Sequence, residues 1–292
     1  MQSWNEADVL AGRRVIPMDA PGLCEPVTIP MQLTFLGTGT SMGVPVIGCR
    51  CAVCTSPDSR NKRLRTSALL EVAGMNLLFD AGPDLRQQAL AIGLRRLDAV
   101  LLTHAHADHV SGLDDIRPLN FAQKSAMPLY GAASTLAFVR ERFNYAFVNG
   151  SEGSTRPALE LIEIRNRSPF RINSVEVLPF DVEHGTWMIT GFRIGGLGYV
   201  TDASFIPPAS LELLRGLDVL VLNALRPAPH PTHFSVDQAR ALIDALQPRR
   251  AFLVHMTHDL EHEATNVTFP DNIRLAYDGL SIKVAEEESY VV

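Results

Sequence analysis

Three histidines and an aspartate fall within six residues, His104-Ala105-His106-Ala107-Asp108-His109, and Ser111-Gly112 follow them. The chain holds nine histidines in 292 residues, so a cluster this dense with an acid inside it reads as a metal site rather than a solvated surface run. In extended backbone alternate side chains share a face. His104 and His106 can therefore grip one cation while Asp108 and His109, at the turn, aim at a second. A second concentration is Cys49-Arg50-Cys51-Ala52-Val53-Cys54, three thiols at Cys-x-Cys-x-x-Cys spacing. Tetrahedral zinc wants a fourth soft or borderline ligand, and the candidate is His258, three residues past His255.

These residues need elements to aim them. Leu97 to Leu102 is a short apolar run bounded by Gly93 and Asp98, which predicts a buried strand with the His/Asp cluster hanging off its carboxyl end. Open α/β sheets place their sites there. Further strands are expected at Gln32–Leu36, Ser67–Val72, Asn76–Phe79, near Leu129-Tyr130, at Ser174–Phe180, Gly198–Asp202, Val219–Leu222 and Ala251–Val254. Helices are expected at Asp84–Ile92, Thr135–Arg142 and Val236–Leu246. The turn Gly37-Thr38-Gly39-Thr40-Ser41-Met42-Gly43 could face an anion with its amides. In the run Arg60, Lys62, Arg63, Arg65 a phosphate-binding cation competes with a plain solvated face. Phe121, Phe143, Tyr145 and Phe147 are expected to pack in the core rather than wall a pocket.

His104-x-His106-x-Asp108-His109 with Ser111-Gly112 resembles the signature of the metallo-β-lactamase superfamily of metal-dependent hydrolases. The likeness is greatest to its phosphodiesterase branch: the cyclic ribose phosphodiesterase that accompanies carbon-phosphorus lyase, with the tRNA 3′-processing endonuclease more distant. It runs from about Met31 to about Ile282. The resemblance implies an α/β fold, the αββα metallo-β-lactamase sandwich of two mixed β-sheets flanked by helices. The hydrolase domain would be 31–292, with 1–30 an amino-terminal extension outside it. It further implies that His184 joins His104 and His106 around one metal, that His255 completes the set of Asp108 and His109 around another, and that Asp202 bridges the two. Asp80 would orient ligands from behind them; a helix cap before Pro83 is nearly as good a role, and both can hold together. His233, which is not a ligand, would serve catalysis together with Asp108. Cys49, Cys51, Cys54 and His258 would hold a structural zinc. His230 is given a structural hydrogen-bonding role, and His262 none.

The function expected is hydrolysis of a small, perhaps cyclic, phosphodiester through a hydroxide shared by two divalent metals, which lower the pKa of water from ~16 toward ~7. Manganese, zinc and iron all suit the His and Asp ligands. Lactonase or thioesterase chemistry, a tRNA 3′-processing-like endonuclease and a mononuclear iron oxygenase are the alternatives. A net charge of -6 argues against nucleic acid as substrate. The first thirty residues show no secretory signal and no apolar run is long enough to span a membrane, so the chain reads as cytoplasmic. A homodimer rests on family likeness alone.

Overall fold

The computed structural model describes residues 31–148 and 155–285, so the expected extension 1–30 lies outside the described residues. Fourteen strands occur among the described residues. They are β1 Met31–Gly37, β2 Ser67–Val72, β3 Met75–Phe79, β4 Ala99–Leu101, β5 Met127–Gly131, β6 Leu159–Glu163, β7 Phe170–Ile172, β8 Val175–His184, β9 Trp187–Ile194, β10 Leu197–Val200, β11 Val219–Asn223, β12 Arg250–Val254, β13 Ile273–Leu275 and β14 Ser281–Val284. Two seven-stranded sheets result, ordered β14-β1-β2-β3-β4-β5-β6 and β13-β12-β11-β10-β9-β8-β7. In each, one part is antiparallel and the other parallel: β3 to β6 run parallel in the first sheet, β10 to β13 in the second.

The central parallel strands β4 and β11 are buried along their whole length, as strands covered on both faces are, whereas the edge strands β6 and β13 carry Glu160, Glu163 and Arg274. All five residues of Val219–Asn223 are buried. The inner faces meet in one core, where Phe79 stacks on Tyr199 at 4.1 Å and Phe35 packs against Phe252 at 5.6 Å. The outer face of the first sheet is covered by the helices Leu85–Ala91 and Ala133–Arg142, and that of the second by Val236–Leu246. This is the expected αββα sandwich.

Several strands run longer than the apolar runs indicate. β8 reaches His184, and β9, absent from the sequence-based expectation, returns from it as a hairpin in which the exposed Trp187 and Met188 lead into a buried run from Ile189 to Phe192, so its side chains do not alternate. The His/Asp cluster itself is not extended. Leu102 to His106 form a loop and Ala107–Val110 a single helical turn, so Asp108 and His109 project from a helix start.

Candidate metal centre

Each group of the site stands just past the carboxyl end of a strand or on the loop it feeds. Asp80 follows β3, His104 and His106 follow β4, Asp202 follows β10, His255 follows β12, and His184 ends β8. Asp80, Asp202 and His255 all have positive φ (59°, 58° and 57°), a region that side chains other than glycine adopt at a cost of about 1–2 kcal/mol each. Their neighbours enforce it. The Asn223 side chain both accepts from Ala203 N (2.7 Å) and donates to Ala203 O (3.0 Å), locking the residue after Asp202. Gly82 and Gly112 let the loops after β3 and β4 touch: a Cβ on Gly82 would fall 2.1 Å from the Asp108 carbonyl, and one on Gly112 would fall 2.0 Å from that of Gly82. That is the physical need behind the Ser-Gly following the motif.

Among the described residues, four groups of side chains offer ligand atoms that lie within 4.8 Å of one another: His104, His106 and His184; Asp108, His109, Asp202 and His255; Cys49, Cys51, Cys54 with His258; and His184 and Asp202 with His233. His184 donates from Nδ1 to the Thr232 carbonyl at 2.7 Å, which leaves Nε2 free for a ligand. Burial holds His104, His106 and His184 below the ordinary histidine range, so they are neutral imidazoles at neutral pH, the form that coordinates. His104 Nε2 lies 2.9 Å from His106 Nδ1.

The second group is built around carboxylates. Burial would raise Asp202 and Asp108, but His255 and His109 beside Asp202, and His109 beside Asp108, pull both well below the carboxylate range. Burial would likewise lower His109, yet Asp202, Asp108 and Asp80 together hold its proton on. A proton and a divalent cation are alternative neutralisers of such an acid cluster, so a metal taken up there would release the proton. The donors fit a cation on a separate observation. Among the described residues, His109 Nε2 and both ring nitrogens of His255 are buried without a hydrogen-bond partner, although carboxylate oxygens of Asp108 and Asp202 lie 3.0–3.6 Å from the two Nε2 atoms. Unpaired buried nitrogens converging with carboxylates are costly in any role but ligation.

Asp80 serves from behind. It is fully buried, accepts from His109 Nδ1 at 2.7 Å and from Thr103 N and Oγ1 at 2.8 Å each, and so turns His109 Nε2 toward Asp108 and Asp202. The alternative as a helix cap does not hold: Asp84, not Asp80, precedes the helix Leu85–Ala91. His233 stands outside the two sets expected from the sequence, with its Nε2 3.1 Å from Asp202 Oδ1 and its ring over His255 (4.9 Å, 13°) and edge-on to His184 (4.7 Å). Its nitrogen, with His184 and Asp202, also forms a mutually close trio of ligand type. The loop bearing it is fixed by Phe234 N to Ala203 O and by the capping box of Ser235 and Gln238. His230 contacts Thr232 and His233. His262, which sequence could not place, is buried against Tyr277 with Nε2 on Asn266.

In the third group His258 Nδ1 lies 3.2, 3.4 and 3.3 Å from the sulfurs of Cys49, Cys51 and Cys54. Zinc bonds of about 2.3 Å to sulfur and 2.0 Å to nitrogen at tetrahedral angles place such atoms about 3.5 Å apart. The Cys54 amide, aimed at the Cys51 sulfur, lowers that thiol to about 6, so part of the thiolate charge is already provided for.

Two expectations are corrected here. The glycine-rich turn after β1 is a joint, not an anion cradle, because Gly39 N goes to Leu64 O, Thr40 N to Met256 O and Val44 N to Arg63 O. The basic run is consumed by structure. Arg60 pairs with Asp58 and Glu263, Lys62 donates to the Cys54 carbonyl, and Arg65 pairs with Asp84. Arg63, 1% exposed, donates to the carbonyls of Thr257 and Leu260 on either side of His258. Arg63 and Asn223 carry no motif; an arginine inside a basic run and an asparagine ending an apolar strand look like surface and strand end. The aromatic set divides as well: Phe143 is core, whereas Phe121 and Tyr145 are exposed.

A profile of the Beta-lactamase superfamily domain matches residues 75–256, and with this fold the chain belongs to the metallo-β-lactamase superfamily. Its class is that of the metallo-β-lactamase-fold hydrolases. Among solved structures it is similar to a diphosphatase from the PhnP family, with 41% identity and a TM-score of 0.82 over 88% of this chain and 99% of that one. An octanoyltransferase of Porphyromonas gingivalis is 38% identical over 260 residues, which cover 88% of this chain but 52% of that protein, so the chain spans about half its length. Ribonuclease Z of Mycolicibacterium gilvum is 26% identical over 209 residues, 66% of each.

Proposed function

We propose that the chain is a dinuclear metal-dependent phosphodiesterase acting on a small phosphodiester. His104, His106 and His184 would hold one divalent cation, Asp108, His109 and His255 the other, with Asp202 between them. Cys49, Cys51, Cys54 and His258 would hold a structural zinc. The cations would supply hydroxide at neutral pH and neutralise charge on the phosphoryl oxygens. The observation that carries the reading is His233, a histidine against both ligand groups whose Nε2 points at Asp202. The Thr232 hydroxyl, 2.8 Å from its Nδ1, can donate there and so keep the ring proton on Nε2, where it can pass to a leaving alkoxide. The similarity to a diphosphatase along nearly the whole described chain supports chemistry at phosphorus. Octanoyl transfer stays with a relative about half of whose length lies outside the match.

The test is His233→Ala assayed on diesters with good and poor leaving groups. The expected loss is 10²–10⁴-fold with an alkoxide leaving group and much smaller with p-nitrophenolate, with both metals retained. Equal losses on the two substrates would remove the proton-donor role.

A further inference from the structure

Beside the His104 and His106 rings stands an open shelf of large apolar side chains. Trp187 is 43%, Phe138 50% and Met188 53% exposed, an unusual concentration of such residues in water. The Trp187 indole lies 4.6 Å from the His106 ring, and Phe138 is nearly parallel to it at 6.0 Å and 20°. Together with Ser134 and His104 they line a cavity of about 270 Å³. Phe138 and Trp187 pack on one another, and Trp187 on His106, but not in the core. The helix Ala133–Arg142 buries Thr135, Leu136 and Val139, leaving Phe138 on its other side, and Trp187 and Met188 sit at the tip of the β8–β9 hairpin, clear of the core. The shelf adjoins the metal centre through His106. His233, the proposed proton donor, meets the same centre at His184, whose ring contacts both His106 (5.1 Å) and His233 (4.7 Å).

We propose that this shelf is the subsite for the substituent that stays on phosphorus, and that it takes a planar aromatic group, a nucleobase, on the faces of Trp187 and Phe138. The proposal rests on the phosphodiesterase reading and adds the kind of diester: one borne by a nucleoside. Near-parallel rings offer π-faces, which stack on any base, and the Ser134 hydroxyl at the rim can meet a ring heteroatom. A purely aliphatic substituent would leave those faces unused. The leaving alkoxide then lies on the His233 flank.

The experiment compares p-nitrophenyl thymidine 5′-phosphate with methyl p-nitrophenyl phosphate, which share the scissile bond and leaving group. The metal-loaded protein is used, as wild type, Trp187→Ala and Trp187→Phe. The wild type is expected to prefer the nucleotide ester by at least ~10-fold in kcat/KM, within the range of one stacked base. That ratio should fall toward one in Trp187→Ala and survive in Trp187→Phe. An unchanged ratio in Trp187→Ala overturns the proposal. So does an equal loss on both esters, since it points to the nitrophenyl ring or to a structural role. Absence of turnover on either ester by the wild type counts against the phosphodiesterase reading instead, and a second measurement then judges the shelf alone. Trp4 and Trp187 are the only tryptophans, so the fluorescence of a Trp4→Phe variant reports Trp187. Quenching by thymidine 5′-monophosphate and not by ribose 5-phosphate supports the shelf, and no quenching overturns it. A wild-type dimer dissociated by Trp187→Ala would make the shelf a contact between copies, and would overturn it as well.

Discussion

Replacing Asp80 by asparagine should loosen one metal and leave the others in place. The carboxylate accepts three hydrogen bonds in a fully buried position, and one of them fixes the ring of His109. Asparagine keeps the shape and one acceptor oxygen but loses the charge that opposes the His109 Nδ1 proton. Partners of this kind are worth about 10- to 100-fold in metal affinity, or about 1.4–2.8 kcal/mol. Alanine goes further, stranding His109 Nδ1 and the amide and hydroxyl of Thr103. At about 1–3 kcal/mol for each buried unsatisfied group, Asp80→Ala should cost several kcal/mol of folding stability in addition. The assay is metal retained per chain against a graded chelator, by elemental analysis, with urea denaturation alongside. For Asp80→Asn one metal should leave at 10- to 100-fold lower chelator strength while the Cys-bound metal is unaffected. Parental retention of all metals would refute the orienting role, and simultaneous loss of all of them would show a folding defect rather than an orienting one.

Other perturbations follow from the same geometry. Arg63→Met strands the Thr257 and Leu260 carbonyls and should cost about 2–5 kcal/mol in urea denaturation, whereas Arg60→Ala, on a partly exposed pair, should cost under about 1 kcal/mol. His258→Ala should remove one metal of three and lower the melting temperature while the other two stay bound, as elemental analysis and calorimetry would show. Burial pushes the Asp278 carboxyl up from 3.8 to about 7, which favours its protonated form in the folded state. The stability this group contributes is therefore complete below about pH 4 and lost as pH rises to about 7, a swing of up to about 4 kcal/mol. Asp278→Asn should accordingly gain stability relative to wild type between pH 4 and 7, and a constant difference across that range would contradict it.

Most strands of the parallel halves were legible because buried parallel strands are continuous apolar runs, as in Val219 to Leu222 and Ala251 to Val254; β6 and β13, at the sheet edges, were not, since Glu160, Glu163 and Arg274 interrupt them. The candidate ligand groups were legible because their residues follow the apolar strands at short, fixed offsets. β9 was not, since Trp187-Met188-Ile189-Thr190-Gly191 mixes exposed and buried residues without a period of two. The supports of the site were hidden for a different reason. Arg63 and Asn223 work through hydrogen bonds to backbone carbonyls and amides 20 to 200 residues away, and their neighbours in sequence give no sign of it. The exposed pair Trp187 and Phe138 was missed because exposure is a tertiary fact, and an aromatic residue in a strand or helix is ordinarily core.

The most direct measurement is hydrolysis of bis(p-nitrophenyl) phosphate by the purified protein, with and without added manganese or zinc, with elemental analysis of the same sample. About three metals per chain, with turnover that disappears when two are stripped and returns on reloading, is the result the proposed centre predicts. Metals bound at that stoichiometry without turnover of any phosphodiester would contradict it and move the chemistry to a carbonyl or to oxygen.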